Sequence, residues 1–105
     1  MVIYFSSNKQ QRILVDERLV RKHYGKLADK LMFRLAELEA ALSLEDIPPV
    51  PPPRRHKLNG NKSNQWGIDV SKNYRIVLEP CGQWENDDLS TVREVKILDV
   101  EDYHR

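Results

Sequence analysis

The chain predicts an α+β fold, with helices on one face of a small, largely antiparallel sheet. Three observations carry this. Helical periodicity is confined to the first half, with a leucine stripe at residues 27–42. Period-two alternation dominates from residue 65 to residue 100. A proline cluster at residues 48–53 separates the two. Runs of helix followed by runs of strand bury their apolar faces most simply as two layers, and 105 residues suit one domain spanning 1–105.

Each element follows in order. "VIYF" is β-branched and aromatic and reads as a first strand, with Ser6, Ser7 and Asn8 able to cap a helix behind it. "KQQRILV" is a candidate short helix. Leu27, Leu31, Leu35, Leu38 and Leu42, flanked by Tyr24 and Ala28, then define one face of a long helix from Arg18 to Ala41. That stripe can pack on a sheet or form a partner-binding seam, and core packing is the simpler use of it. "SLEDI" places Asp46 three positions after Ser43, a weak capping pattern for one further turn.

Five of the six prolines fall between residues 48 and 53. They exclude a helix and an inner strand, so an extended, rigid connector is expected. Pro49, Pro52 and Arg54 also have the spacing of ligands for proline-reading domains, which leaves an adaptor role as a minor reading.

"QWGIDV" and "YRIVLE" alternate around the turn "SKN" and predict a hairpin. Trp66, Ile68 and Val70 share one face of the first strand. Tyr74, Ile76 and Leu78 oppose Arg75, Val77 and Glu79 on the second. "PCGQWENDDLST" is a polar excursion without periodicity. "VREVKILDV" carries Val95 and Ile97 on one face, with Val92, Leu98 and Val100 on the other, which predicts a central strand.

Composition bounds the function. A lone Cys81 cannot close an internal bridge, the N-terminus lacks a signal-peptide pattern, and no apolar run approaches the ~20 residues of a membrane span. A soluble, cytoplasmic protein is expected. The net charge of +1 conceals polarity: residues 54–75 hold Arg54, Arg55, Lys57, Lys62, Lys72 and Arg75 against Asp69 alone. This stretch is either a phosphate-binding patch, with Arg54, Arg55, Lys57 and Lys62 as the RNA-binding candidates, or a solvated surface balanced by the acidic C-terminal third.

Metal and cofactor chemistry is not indicated. His23, His56 and His104 lie far apart, no cysteine pair exists, and there is neither a P-loop nor a dinucleotide fingerprint. Cys81 sits in an acidic loop that should raise its pKa and dull it. What remains is His56, Lys57, Arg75, Tyr103 and His104. Alternation turns Arg75 away from the helices, His56 opens the strand after the prolines, and His104 follows the last strand. Two imidazoles and a guanidinium suffice to cleave RNA without a metal: one group takes the 2′-hydroxyl proton, one protonates the 5′-oxygen, and the cation offsets charge on phosphorus. The bland alternative is that His56 caps a strand, Arg75 pairs with Asp69 or Glu79, and His104 lies in a frayed tail.

The runs "RRHKLNGNKSNQWGIDVSKNYRIVLEP" and "VKILDVEDYH" resemble the HigB-type branch of the RelE/ParE toxin superfamily. The matching positions are His56, Leu58 and Gly60; Trp66; Asn73, Tyr74 and Arg75; and Asp102, Tyr103 and His104. The resemblance is specific in the last fifty residues and loose before them. It implies a compact RelE-like β-α-α-β-β-β fold, with two N-terminal helices on one sheet face. It also implies a toxin of a type II toxin–antitoxin system that cleaves mRNA on the ribosome, neutralised by a helix-turn-helix, HigA-like antitoxin. His56, Arg75, Tyr103 and His104 are then the catalytic candidates. The alternative within the same superfamily is a non-enzymatic, ParE-like inhibitor of DNA gyrase, which would need no acid–base set. The proline segment, the 80–91 loop and Arg105 depart from the family pattern.

Overall fold

The computed structural model describes residues 1–59 and 64–103. Gly60, Lys62, His104 and Arg105 lie outside the described residues. The architecture is α+β, as expected. Strand β1 (Val2–Phe5) leads into helices α1 (Asn8–Leu14), α2 (Glu17–Tyr24) and α3 (Ala28–Ala40). Strands β2 (His56–Lys57), β3 (Trp66–Asp69), β4 (Tyr74–Pro80) and β5 (Glu94–Asp102) follow. The sheet order is β1-β5-β4-β3-β2. Only the β1–β5 pair is parallel.

Local chemistry sets the helix ends. The Ser7 hydroxyl accepts from the Gln10 amide at 3.0 Å and caps α1, and the Asp16 carboxylate accepts from Arg18 and Leu19 to cap α2. The long helix expected from Arg18 to Ala41 is not continuous. Gly25, at φ 53°, ends α2 in a backbone region that disfavours side chains, and a 3₁₀ turn at Gly25–Leu27 redirects the chain into α3. The stripe is trimmed accordingly. Leu31 and Leu38 are fully buried, Leu27 and Leu35 only partly. Leu42 lies beyond the end of α3 and is 82 % exposed. The further turn expected after Ser43 is a 3₁₀ turn at Leu44–Asp46, and it buries Leu44.

The core lies between the helices and one sheet face. Leu14, Val20, Ala28, Leu31 and Leu38 pack in one cluster with Ile68, Val70, Ile76, Leu78, Val95 and Ile97. The expected hairpin forms, with Trp66 opposite Leu78 and Ile68 opposite Ile76. β5 is central, as expected, but its faces are not those of strict alternation. A bulge pairs Val77 with Asp99 and Leu78 with Ile97, so Leu98 is the extra residue. Val100 therefore joins Val95 and Ile97 on the helix side.

The proline segment is a turn and not an extended strut. The Arg54 amide donates to the Val50 carbonyl and the Arg55 amide to that of Pro48, each at 3.0 Å, while the Asp69 amide donates to Pro53 at 2.7 Å. The Pro51–Pro52 peptide is cis. The prolines lack donors, but their carbonyls accept from neighbours that have them, and this folds the segment against β3. The turn is also unlike the open polyproline helix that proline-reading domains bind. The 80–91 loop is likewise built, with Asp88 capping a 3₁₀ turn at Leu89–Thr91 and Trp84 packed against the core. Among the described residues no helix is long and apolar enough to cross a membrane.

Candidate active site

β2, β3, β4 and β5 turn a polar row away from the helices. Residues directly opposite in a sheet share a face. Asp69, Arg75 and Glu101 lie in line across three strands, and His56 stands opposite Gly67 one step along. Arg75 donates from Nε to Glu101 Oε2 at 3.2 Å, not to Asp69 or Glu79. Its guanidinium also lies over the Tyr103 ring, 4.5 Å from the centroid.

His56 is fixed from two sides. Its Nδ1 is 2.7 Å from the Arg54 carbonyl oxygen. A carbonyl only accepts, so Nδ1 carries the proton and, in the neutral ring, Nε2 keeps its lone pair. That Nε2 is 3.5 Å from NH1 of Arg75. The ring lies over Gly67, where a Cβ would come within 2.8 Å of Cε1 and Nε2. Glycine at residue 67 is thus what lets the imidazole lie flat on β3.

Arg54 adopts φ 41°, uncommon for a residue with a side chain, which costs on the order of 1 kcal/mol. It is held there by Asp69, whose carboxylate accepts from Arg54 Nε at 2.6 Å and from NH2 at 3.2 Å. The Asp69 contact, and then the Tyr103 hydroxyl, raise the Arg54 guanidinium above its ordinary pKa. Tyr103 itself is held at both ends. Its amide donates to the Asn73 carbonyl at 2.9 Å, and its hydroxyl donates to Asp69 Oδ1 at 3.1 Å. The segment after β5 is therefore tied down at Tyr103 and does not fray there.

The structure thus brings His56, Arg75 and Tyr103 together. His104 and Lys62 lie outside the described residues. Of the other candidate RNA-binding residues, Arg54 is occupied by Asp69. Arg55 donates to the Ile47 carbonyl at 2.7 Å and stacks 5.6 Å from the Trp66 ring. Lys57 is exposed but is paired with Trp66, so it faces the helix side of β2, opposite His56. Sequence reasoning missed Gly67, and did not single out Asp69 or Glu101 as site residues. The hairpin around Ser71–Asn73 could have signalled Asp69 opposite Arg75, whereas Glu101 comes into register only through the β5 bulge.

Cys81 is partly buried and lies apart from this row. Burial first, then Glu94 and Glu79, push its thiol pKa up, as the acidic loop led us to expect. Among the described residues no group of three His, Cys, Asp or Glu side chains is placed to hold a metal ion.

No family model and no curated relative matches the chain. Solved structures do. A YoeB/ParE toxin from Agrobacterium tumefaciens superposes with a TM-score of 0.57 at 10 % identity, covering all of both chains. The YoeB–YefM complex and the YoeB dimer from Staphylococcus aureus each give 0.57, at 15 % and 18 % identity, over all of this chain and 98 % of theirs. The chain has the YoeB fold.

Proposed function

We propose that this protein is the toxin of a type II toxin–antitoxin system and a metal-independent endoribonuclease acting on mRNA at the ribosome. The observation that carries the reading is the His56–Arg75–Tyr103 cluster: an imidazole whose Nε2 faces a guanidinium nitrogen 3.5 Å away, and a phenol ring stacked beneath that guanidinium. A pure binding surface would not need a fixed tautomer beside a cation.

In this mechanism His56 and His104 divide the proton work. One takes the 2′-hydroxyl proton as the 2′-oxygen attacks phosphorus. The other gives a proton to the 5′-oxygen as the P–O5′ bond breaks, leaving a 2′,3′-cyclic phosphate and a 5′-hydroxyl. Arg75 offsets the extra charge on phosphorus. Tyr103 orients the substrate or shares the proton transfer. Arg54, Arg55, Lys57 and Lys62 contribute to RNA affinity. The similarity to the toxin in the YoeB–YefM complex supports an antitoxin partner, and the motif residues favour a HigA-like, helix-turn-helix one in the cytoplasm. The HigB-type assignment rests on the sequence motifs alone.

The test is cleavage of mRNA on translating ribosomes. His104→Gln and Arg75→Ala should each lose most activity while remaining folded, and a chelator should have no effect. A 2′-deoxy substitution at the cut site should abolish cleavage. Full activity from both variants, or cutting of the deoxy substrate, would sink the mechanism. A wild type that spares mRNA but stalls DNA gyrase would establish the ParE-like alternative.

A further inference from the structure

The chain has two tryptophans, one on β3 and one in the 80–91 loop, far apart in sequence. Both line the same recess of about 290 Å³, together with Lys57, Asn64 and Asn86. That is near the lower bound of small-ligand clefts, about 300 Å³. Each indole packs one side against the core and keeps part of its surface exposed. The guanidinium of Arg55 stacks 5.6 Å from the Trp66 ring and helps hold that indole in place.

The lining has a definite chemistry. Indole faces stack on any nucleobase, and asparagine amides offer both donors and acceptors to a base edge. Among the described residues Lys57 supplies a cation and no carboxylate lines the recess. The same loop does carry Glu85, Asp87 and Asp88, which would repel a phosphate placed deep beside it. The recess therefore suits a base with its phosphate held outside, near Lys57. Its position matters as much. His56 and Lys57 are consecutive in the edge strand β2 and point to opposite faces. A single strand crossing that edge can set a phosphate at His56 and Arg75 on one face and a base against Trp84 on the other, since the Trp66 ring is already covered by Arg55.

We propose that the recess lined by Trp66 and Trp84 is a base-stacking subsite for single-stranded RNA, on the face of β2 opposite the candidate active site. The proposal rests on the nuclease reading for its ligand class. The 80–91 loop, which departs from the family pattern, then serves to bring Trp84 to the subsite.

Because both tryptophans line the recess, tryptophan emission, excited selectively over the tyrosines, reports on it. The intact protein is titrated with a short 2′-O-methylated, uncleavable oligoribonucleotide and with an abasic strand of equal length. The base-bearing strand should change indole emission and the abasic strand should not. Trp84→Ala should weaken binding by roughly 5- to 150-fold, the range of base–aromatic stacking. Trp84→Phe should restore most of it, and Asn86→Ala, at an exposed position, should alter the order in which homopolymers of different base bind. Equal responses to both strands, or no response, would overturn the subsite, as would unchanged affinity in a folded Trp84→Ala variant. Wild-type cleavage on ribosomes is measured in parallel. Cleavage without base-dependent fluorescence removes the subsite and leaves the nuclease. Base-dependent fluorescence without cleavage keeps the subsite and removes the nuclease.

Discussion

Replacing Gly67 with alanine perturbs the candidate site by a single methyl group. The new carbon would stand 2.8 Å from Cε1 and Nε2 of His56 and 3.3 Å from Cδ of Arg75. Unstrained contacts of this kind lie at about 3.5–4.0 Å. The imidazole must therefore retreat by on the order of 1 Å, because β3 is pinned in the sheet on both sides and the ring is the freer partner. The retreat strains the 2.7 Å Nδ1 contact to Arg54 and takes Nε2 away from Arg75. A misplacement of that size costs about 10²-fold in rate. The fold should survive. Gly67 lies within β3 and is not in the left-handed region, and alanine is worth roughly 0.5–1 kcal/mol over glycine there, which offsets part of the local crowding. The assay is mRNA cleavage beside thermal unfolding, for Gly67→Ala, His56→Ala and the double variant. We expect Gly67→Ala to lose about two orders of magnitude in rate with a near-native Tm, and to add little once His56 is gone. Full activity in Gly67→Ala, or fully additive losses, would refute the claim that this glycine works through His56.

Three further outcomes are expected. Leu31→Asp, at a fully buried position, should abolish folding by burying an unpaired carboxylate, whereas Leu35→Asp, beside the groove between β1 and α3, should be milder; circular dichroism and chemical denaturation decide. Asp69→Ala removes the acceptor for both Arg54 and Tyr103; with Arg54 40 % exposed, the loss should be about 1–2 kcal/mol, read as a lower denaturation midpoint, and cleavage should fall as Arg54 releases its grip on His56. Cys81, with its thiol pKa raised by burial and by Glu94 and Glu79, should react with iodoacetamide more slowly in the native protein than in denaturant at the same pH, and the native rate should climb as pH rises; equal rates by mass spectrometry would contradict that placement.

Much of this was legible before any coordinates. Alternation alone assigned the two faces of β3 and β4 and turned Arg75 away from the helices, because a strand's period leaves no other choice. Ser7 and Gly25 are local signals too, although the regular leucine spacing masked Gly25 as a helix stop. What stayed hidden depends on register between distant strands. Asp69, on one side of Arg75, is already taken by Arg54 and Tyr103, and the bulge at Leu98 that brings Glu101 opposite Arg75 on the other is announced by no local pattern. The same is true of Gly67 beneath His56. Lys57 was read as part of one cationic patch with its neighbours, but a two-residue strand sends it to the opposite side from His56. The proline cluster misled for a different reason: proline restricts its own dihedrals, while the path of the turn is set by the amides of Arg54, Arg55 and Asp69.

β5 is an inner strand, between β1 and β4, yet follows every other described element in sequence. Its parallel partner is β1, with Tyr4 and Glu94 bonded across ninety positions. Until β5 leaves the ribosome, β1 and the β2–β4 meander have no common neighbour, and the sheet cannot close over its core. Such long-range pairing is slow, and exposed strand edges invite rescue or capture by other proteins in the interval. Glu101 and Tyr103 arrive with β5, so Arg75 waits until then for its ion-pair partner and its aromatic support. The cluster around Arg75 is thus completed only once β5 has joined the sheet.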